Sequence, residues 1–172
     1  KGAIKLHLLL DHDGYLPAFA WITEGKKSDV TIARQLAFAP GTLIVYDRGY
    51  NDYSLFAQWT PQGVLFVTRM KDNALSVVVG ERDLPQNRNI LKDELIQLTG
   101  SKAEEKCPYP LRRIEVYVPE TNEILVFLTN NFKLGATSIA AIYKERWQIE
   151  IFFKALKQNL KIKTFVGTSA NA

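Results

Sequence analysis

Two short runs, TLIVY at 42–46 and VLFVT at 64–68, constrain this chain most. They are apolar almost throughout instead of alternating. Strands of that kind bury both faces, as in a parallel sheet. Parallel neighbours cannot be joined by a tight turn, so residues 47–63 have to cross a face of the sheet, and 51–59 carry the helical spacing to do it before Pro61-Gln62-Gly63 breaks the run. The expected class is therefore α/β, a sheet with helices on its faces.

The remaining segments arrange themselves around that unit. Residues 3–10 (AIKLHLLL) and 15–23 (YLPAFAWIT) read as strands around D-H-D-G, where Gly14 supplies the positive φ of a hairpin. Residues 29–38 (DVTIARQLAF) read as a helix capped by Ser28 or Asp29 and ended by Pro40-Gly41. From 69 to 111 the pattern becomes mixed, with a strand-like LSVVVG and a possible helical piece, ILKDELIQL. RRIEVYV (112–118) and EILVFLT (123–129) form a hairpin around P-E-T-N. A final helix opens near Thr137 or Ser138 and runs to about 160, followed by a tail. No run is long and apolar enough to span a membrane. Cys107 is the single cysteine, in C-P-Y-P; it excludes an intrachain disulfide, suits a reducing cytosol, and reads as a loop or core thiol.

The net charge is +4, unevenly spread: between Lys133 and Lys163, six lysines and one arginine stand against Glu145 and Glu150. Within AIYKERWQIEIFFKALKQNLK (141–161), helical spacing of about 100° per residue puts Ile142, Ile149, Phe153, Leu156 and Leu160 on one stripe. Tyr143, Arg146, Glu150, Lys154, Lys157 and Lys161 line a second stripe beside it. Glu150 could pair with Lys154 and Arg146 as on any charged helix. A ladder of cations around one carboxylate also suits a phosphodiester held near a metal ion. Spacing alone leaves both readings open.

The motif Y-x2-R-x3-E-x6-K, present as Tyr143, Arg146, Glu150 and Lys157, resembles the signature helix of DDE transposases from bacterial insertion sequences, in the insertion-sequence-four branch. V-Y-D-R-G-Y at 45–50, the opening K-G-A-I-K-L-H-L-L-L-D-H-D-G-Y-L-P and E-G-K-K-S-D agree in order, so the resemblance covers nearly the whole chain. It implies an RNase H-like fold divided into a core at 1–68, a β-rich insertion at 69–135, a catalytic helix at 136–165 and a tail at 166–172. It implies that Asp47 and Glu150 are the second and third of three catalytic carboxylates, binding Mg²⁺ or Mn²⁺ in a two-metal arrangement. Tyr143, Arg146, Lys154, Lys157, Lys161 and Arg48 become expected DNA contacts. Implied partners are double-stranded DNA, as terminal inverted repeats and target, and a second copy of the chain in a synaptic dimer; the implied setting is the bacterial cytoplasm.

The family's first aspartate lies on a strand upstream of the K-G-A-I-K-L-H run. With Lys1 as the first residue, that strand and that aspartate are expected to be missing, and the 172 residues alone to be weak or inactive catalysts. Asp11 and Asp13 fall in the hairpin turn and suit bracing it. A DNA-binding remnant or regulator of the same fold, and a nuclease that cuts without joining, stay open beside the transposase.

Overall fold

A computed structural model describes residues 4–10, 17–24, 29–100 and 102–146. Strands β1 (Ile4–Leu10) and β2 (Pro17–Glu24) pair antiparallel as a two-stranded sheet. Helix α1 (Asp29–Ala33) leads to β3 (Leu43–Tyr46), a 3₁₀ turn (Arg48–Tyr50), α2 (Tyr53–Trp59) and β4 (Leu65–Arg69). Next come β5 (Ser76–Glu81), β6 (Ile90–Leu98), the short α3 (Ala103–Lys106), β7 (Leu111–Val118) and β8 (Glu123–Thr129). Residues 136–146 are helical and are called α4.

Six strands form one sheet in the order β3-β4-β8-β7-β6-β5. As the two apolar runs require, β3 and β4 are parallel, with Tyr46 level with Thr68. β8 then pairs antiparallel with β4, so the β-rich stretch continues the same hydrogen-bonded sheet. Strand alternation sorts the side chains into two layers. Ile44, Tyr46, Phe66 and Leu128 pack with Leu55, Phe56 and Trp59 of α2. Val67, Ile114, Val116 and Phe127, flanked by Leu43 and Val45, pack with Ala136, Ile139 and Tyr143 of α4. The sheet is thus a partition with α2 on one face and α4 on the other.

Turn chemistry sets the register where the parallel strands begin. Gly41 and Gly63 both adopt positive φ, at 87° and 70°. The Gly41 N–H donates to the Gly63 carbonyl at 2.8 Å, tying the leading ends of both strands together. An added Cβ on Gly63 would also meet the Pro40 Cβ at 3.4 Å. At the same end, the Asn130 side chain accepts from the Phe66 N–H (2.9 Å) and donates to the Val64 carbonyl (2.9 Å), so it replaces a strand partner beyond the end of β8.

Two expectations about elements are corrected. The helix expected over 29–38 is the five-residue α1; past Ala33 the bonds Gln35 N–H to Ile32 and Leu36 N–H to Ala33 are i→i−3, which tightens and ends it. ILKDELIQL is not helical but is strand β6, held between β5 and β7. Its register shifts between Ile90 and Lys92, so Leu91 and Lys92 are both exposed and the alternation is broken at that point.

Candidate active site

Asp47 follows the last residue of β3, at the end where a parallel sheet presents functional groups. Its carboxylate accepts the Arg48 N–H at 2.7 Å and caps the 3₁₀ turn. Gly49 lies beside it, where an added Cβ would stand 4.0 Å from Asp47 Oδ2, so a bare backbone leaves that oxygen approachable. Asn51 locks the turn to the neighbouring strand: its Nδ2 donates to the Arg69 carbonyl (2.7 Å) and its Oδ1 accepts from the Thr68 hydroxyl (2.9 Å). Lys71 Nζ closes the brace on the Asn51 carbonyl at 3.0 Å.

Arg48 pairs with Asp72 across an exposed 3.0 Å bridge, which is worth at most about 1 kcal/mol. Arg48, Gly49, Lys71, Asp72 and Asn73 line an open cleft of about 460 Å³ beside the Asp47 turn.

α4 covers the same end of the sheet. The ring of Tyr143, 1% exposed, packs on Phe127 with centroids 4.7 Å apart. Arg146 donates to the Tyr143 hydroxyl at 3.1 Å, and its guanidinium lies 4.7 Å from that ring's centroid. Burial pushes the Tyr143 hydroxyl above its ordinary range; the charge of Arg146 and its hydrogen bond pull it back, Asp47 raises it further and Arg69 lowers it. One hydroxyl therefore senses Asp47, Arg69 and Arg146 together. The helical wheel put Tyr143 on a polar edge, but the fold makes it part of the core seam with Ile139 and Ala136, while Ile142 is only half-buried.

The start of α4 is pinned from below. Arg112 forms a bidentate pair with Asp93 (2.7 and 2.6 Å), both side chains buried, and donates to the Asn131 and Leu134 carbonyls at 3.1 and 2.6 Å. The Asn131 side chain accepts the Lys133 and Leu134 N–H groups at 2.9 and 3.0 Å.

Of the residues expected from sequence, Asp47, Arg48, Tyr143 and Arg146 are described; Tyr143 and Arg146 are in contact, and Asp47 ends the strand on the sheet face where Tyr143 packs. Glu150, Lys154, Lys157, Lys161 and Trp147 lie outside the described residues. Among the described residues no group of three His, Cys, Asp or Glu could hold a metal. Asp47 alone, with one oxygen already accepting from Arg48, does not make a divalent-cation site. Asn51, Arg69 and Lys71 were missed by the sequence reading. Their only signal is position, just after D-R-G-Y and at the end of VLFVT. Cys107 is buried, which raises its thiol pKa, and its Sγ sits 3.8 Å from the Tyr109 carbonyl, as befits a core thiol.

The architecture is a mixed α/β domain with a carboxylate at the end of a parallel strand and a tyrosine–arginine pair on the helix that packs on the sheet beside it. The family described as "Transposase DDE domain" matches residues 1–171, and the chain belongs to it. It is 35% identical over 173 residues to "Putative transposase y4zB" of Sinorhizobium fredii, covering 98% of this chain and 48% of that protein. It is 30% identical over 173 residues to "Probable transposase for insertion sequence element IS5377" of Geobacillus stearothermophilus, covering 100% of this chain and 45% of that one. The chain thus spans about half the length of the curated relatives it matches. Among the described residues, no helix is long and apolar enough to cross a membrane.

Proposed function

We propose that this chain is the catalytic part of a transposase that cuts DNA at insertion-sequence ends and joins it to a target. The observation that carries the reading is that Asp47, at the end of β3, lies by alternation from Val45 on the face of the sheet where Tyr143 of α4 packs and holds Arg146. Helical spacing extends the seam Ile139, Tyr143, Arg146 to position 150, so Glu150 is the proposed partner carboxylate of Asp47. Divalent Mg²⁺ or Mn²⁺ held by both would supply the activating charge for displacement at phosphorus. Arg146, Lys154, Lys157, Lys161 and Arg48 are the proposed phosphate contacts, with Tyr143 orienting the Arg146 guanidinium. Terminal repeats and target DNA as partners, a homodimeric synaptic assembly, an RNase H-like core and a cytoplasmic setting belong to the same proposal.

The test is Mn²⁺ binding followed by electron paramagnetic resonance, on the chain and on Asp47→Asn and Glu150→Gln. The expected result is one weak site lost in both variants, since each removes a ligand of the same ion. Mn²⁺ binding unchanged in either variant overturns the shared site. DNA binding without metal-dependent cleavage by the full-length protein would favour a non-catalytic relative of the fold.

A further inference from the structure

Three observations single out the Arg69 side chain. The first is its place: it ends β4, one residue beyond Thr68, which is level with Tyr46, so it stands on the strand next to Asp47. The second is its face. Arg69 lies opposite Phe127 in the antiparallel β4–β8 pair, and opposed residues project to the same side. Phe127 packs on Tyr143, so Arg69 projects to the α4 side, as does Asp47 by alternation from Val45.

The third is its chemistry. The neighbouring cations are engaged: Arg48 with Asp72, Lys71 with the Asn51 carbonyl. The Arg69 guanidinium donates no hydrogen bond and forms no ion pair among the described residues, although the residue is half-buried and its own carbonyl is clamped by Asn51. A partly desolvated, uncommitted planar fork on a fixed backbone is suited to bidentate capture of phosphate oxygens.

Resting on the proposed DNA-cutting function, we propose that Arg69 is a phosphate-binding residue of the site, gripping the DNA backbone beside Asp47 from the sheet side while α4 approaches from above. Its influence on the Tyr143 hydroxyl agrees with a position inside the same pocket.

The experiment measures binding of a fluorescein-labelled DNA duplex by the 172-residue chain across a salt series, for wild type, Arg69→Gln, Arg69→Met and Arg69→Lys. Loss of one phosphate contact should weaken binding roughly tenfold and make the slope of log K against log salt shallower by about one. Both neutral variants should show this, with Arg69→Lys keeping the wild-type slope because the charge remains. Arg69→Met preserves the apolar stem, so a folding defect confined to the glutamine variant still leaves a reading. Wild-type affinity and slope in a folded neutral variant overturn the role of Arg69 alone. Failure of the wild-type chain to bind DNA at any salt overturns this role and the proposed function with it.

Discussion

At the scale of single residues, the most consequential group is Arg112, the largest fully buried side chain among the described residues, and it is a cation. Its charge is tolerated because its donors are aimed: two at Asp93, two at the carbonyls of 131 and 134. Truncating one member of such a pair leaves the other charge buried without its counter-ion, with Arg82 Nε at 3.7 Å from Asp93 as a poor substitute. Arg112→Met is expected to cost roughly 3–5 kcal/mol, read as a lower urea midpoint. Asp93→Leu combined with Arg112→Met should recover much of that, because two apolar side chains need no counter-charge. A double variant no more stable than Arg112→Met would mean that the carbonyl contacts, and not the ion pair, carry the stability.

At the scale of elements, the described part of α4 packs on the sheet through Ala136, Ile139 and Tyr143. Phe127 anchors it through the ring packed against Tyr143. Phe127→Ala should cost about 3–5 kcal/mol by removing a buried ring, and amide exchange over 136–146 should speed up well before that of β3 and β4. Equal acceleration in both regions would mean the helix and the parallel pair open as one unit.

What the sequence made legible follows the same physics. TLIVY and VLFVT declared themselves because burial on both faces leaves an unbroken apolar run, and Asp47 was readable as the polar residue ending one of them. ILKDELIQL misled because apolar residues at 90, 91, 95, 96 and 98 satisfy helical spacing while a register shift spoils the strand's alternation; only its neighbours β5 and β7 decide the matter. Tyr143 was placed one stripe off because polar and core seams on a helix differ by a single residue, and the contact with Phe127 chooses between them. Arg69 and Asn51 were invisible because their importance comes from which strands lie side by side, a property of the tertiary pairing.

At the scale of the molecule, the buried tyrosines set an alkaline limit. Burial raises the phenols of Tyr46 and Tyr143 above their ordinary value near 10, with Asp52 adding to the rise at Tyr46. In that range the folded state holds more protons than the unfolded one. Their contribution is therefore complete below pH 10 and is lost as the pH climbs from there toward the raised folded values. Each such group steepens the decline by about 1.4 kcal/mol per pH unit while it titrates only in the unfolded chain. Denaturant midpoints measured from pH 8 to pH 11 should hold flat and then drop, with a gentler drop in Tyr46→Phe. An unchanged drop in that variant would remove Tyr46 from the account.

The tie between Gly41 and Gly63, where β3 and β4 begin, has a mechanical meaning at the opposite end of those strands. Two parallel strands joined rung by rung cannot slip against each other without breaking the whole ladder, so the spacing from Asp47 to Arg69 behaves as a gauge block. Under the proposed function, room for a DNA strand has to come from the covering helix lifting and not from the floor stretching.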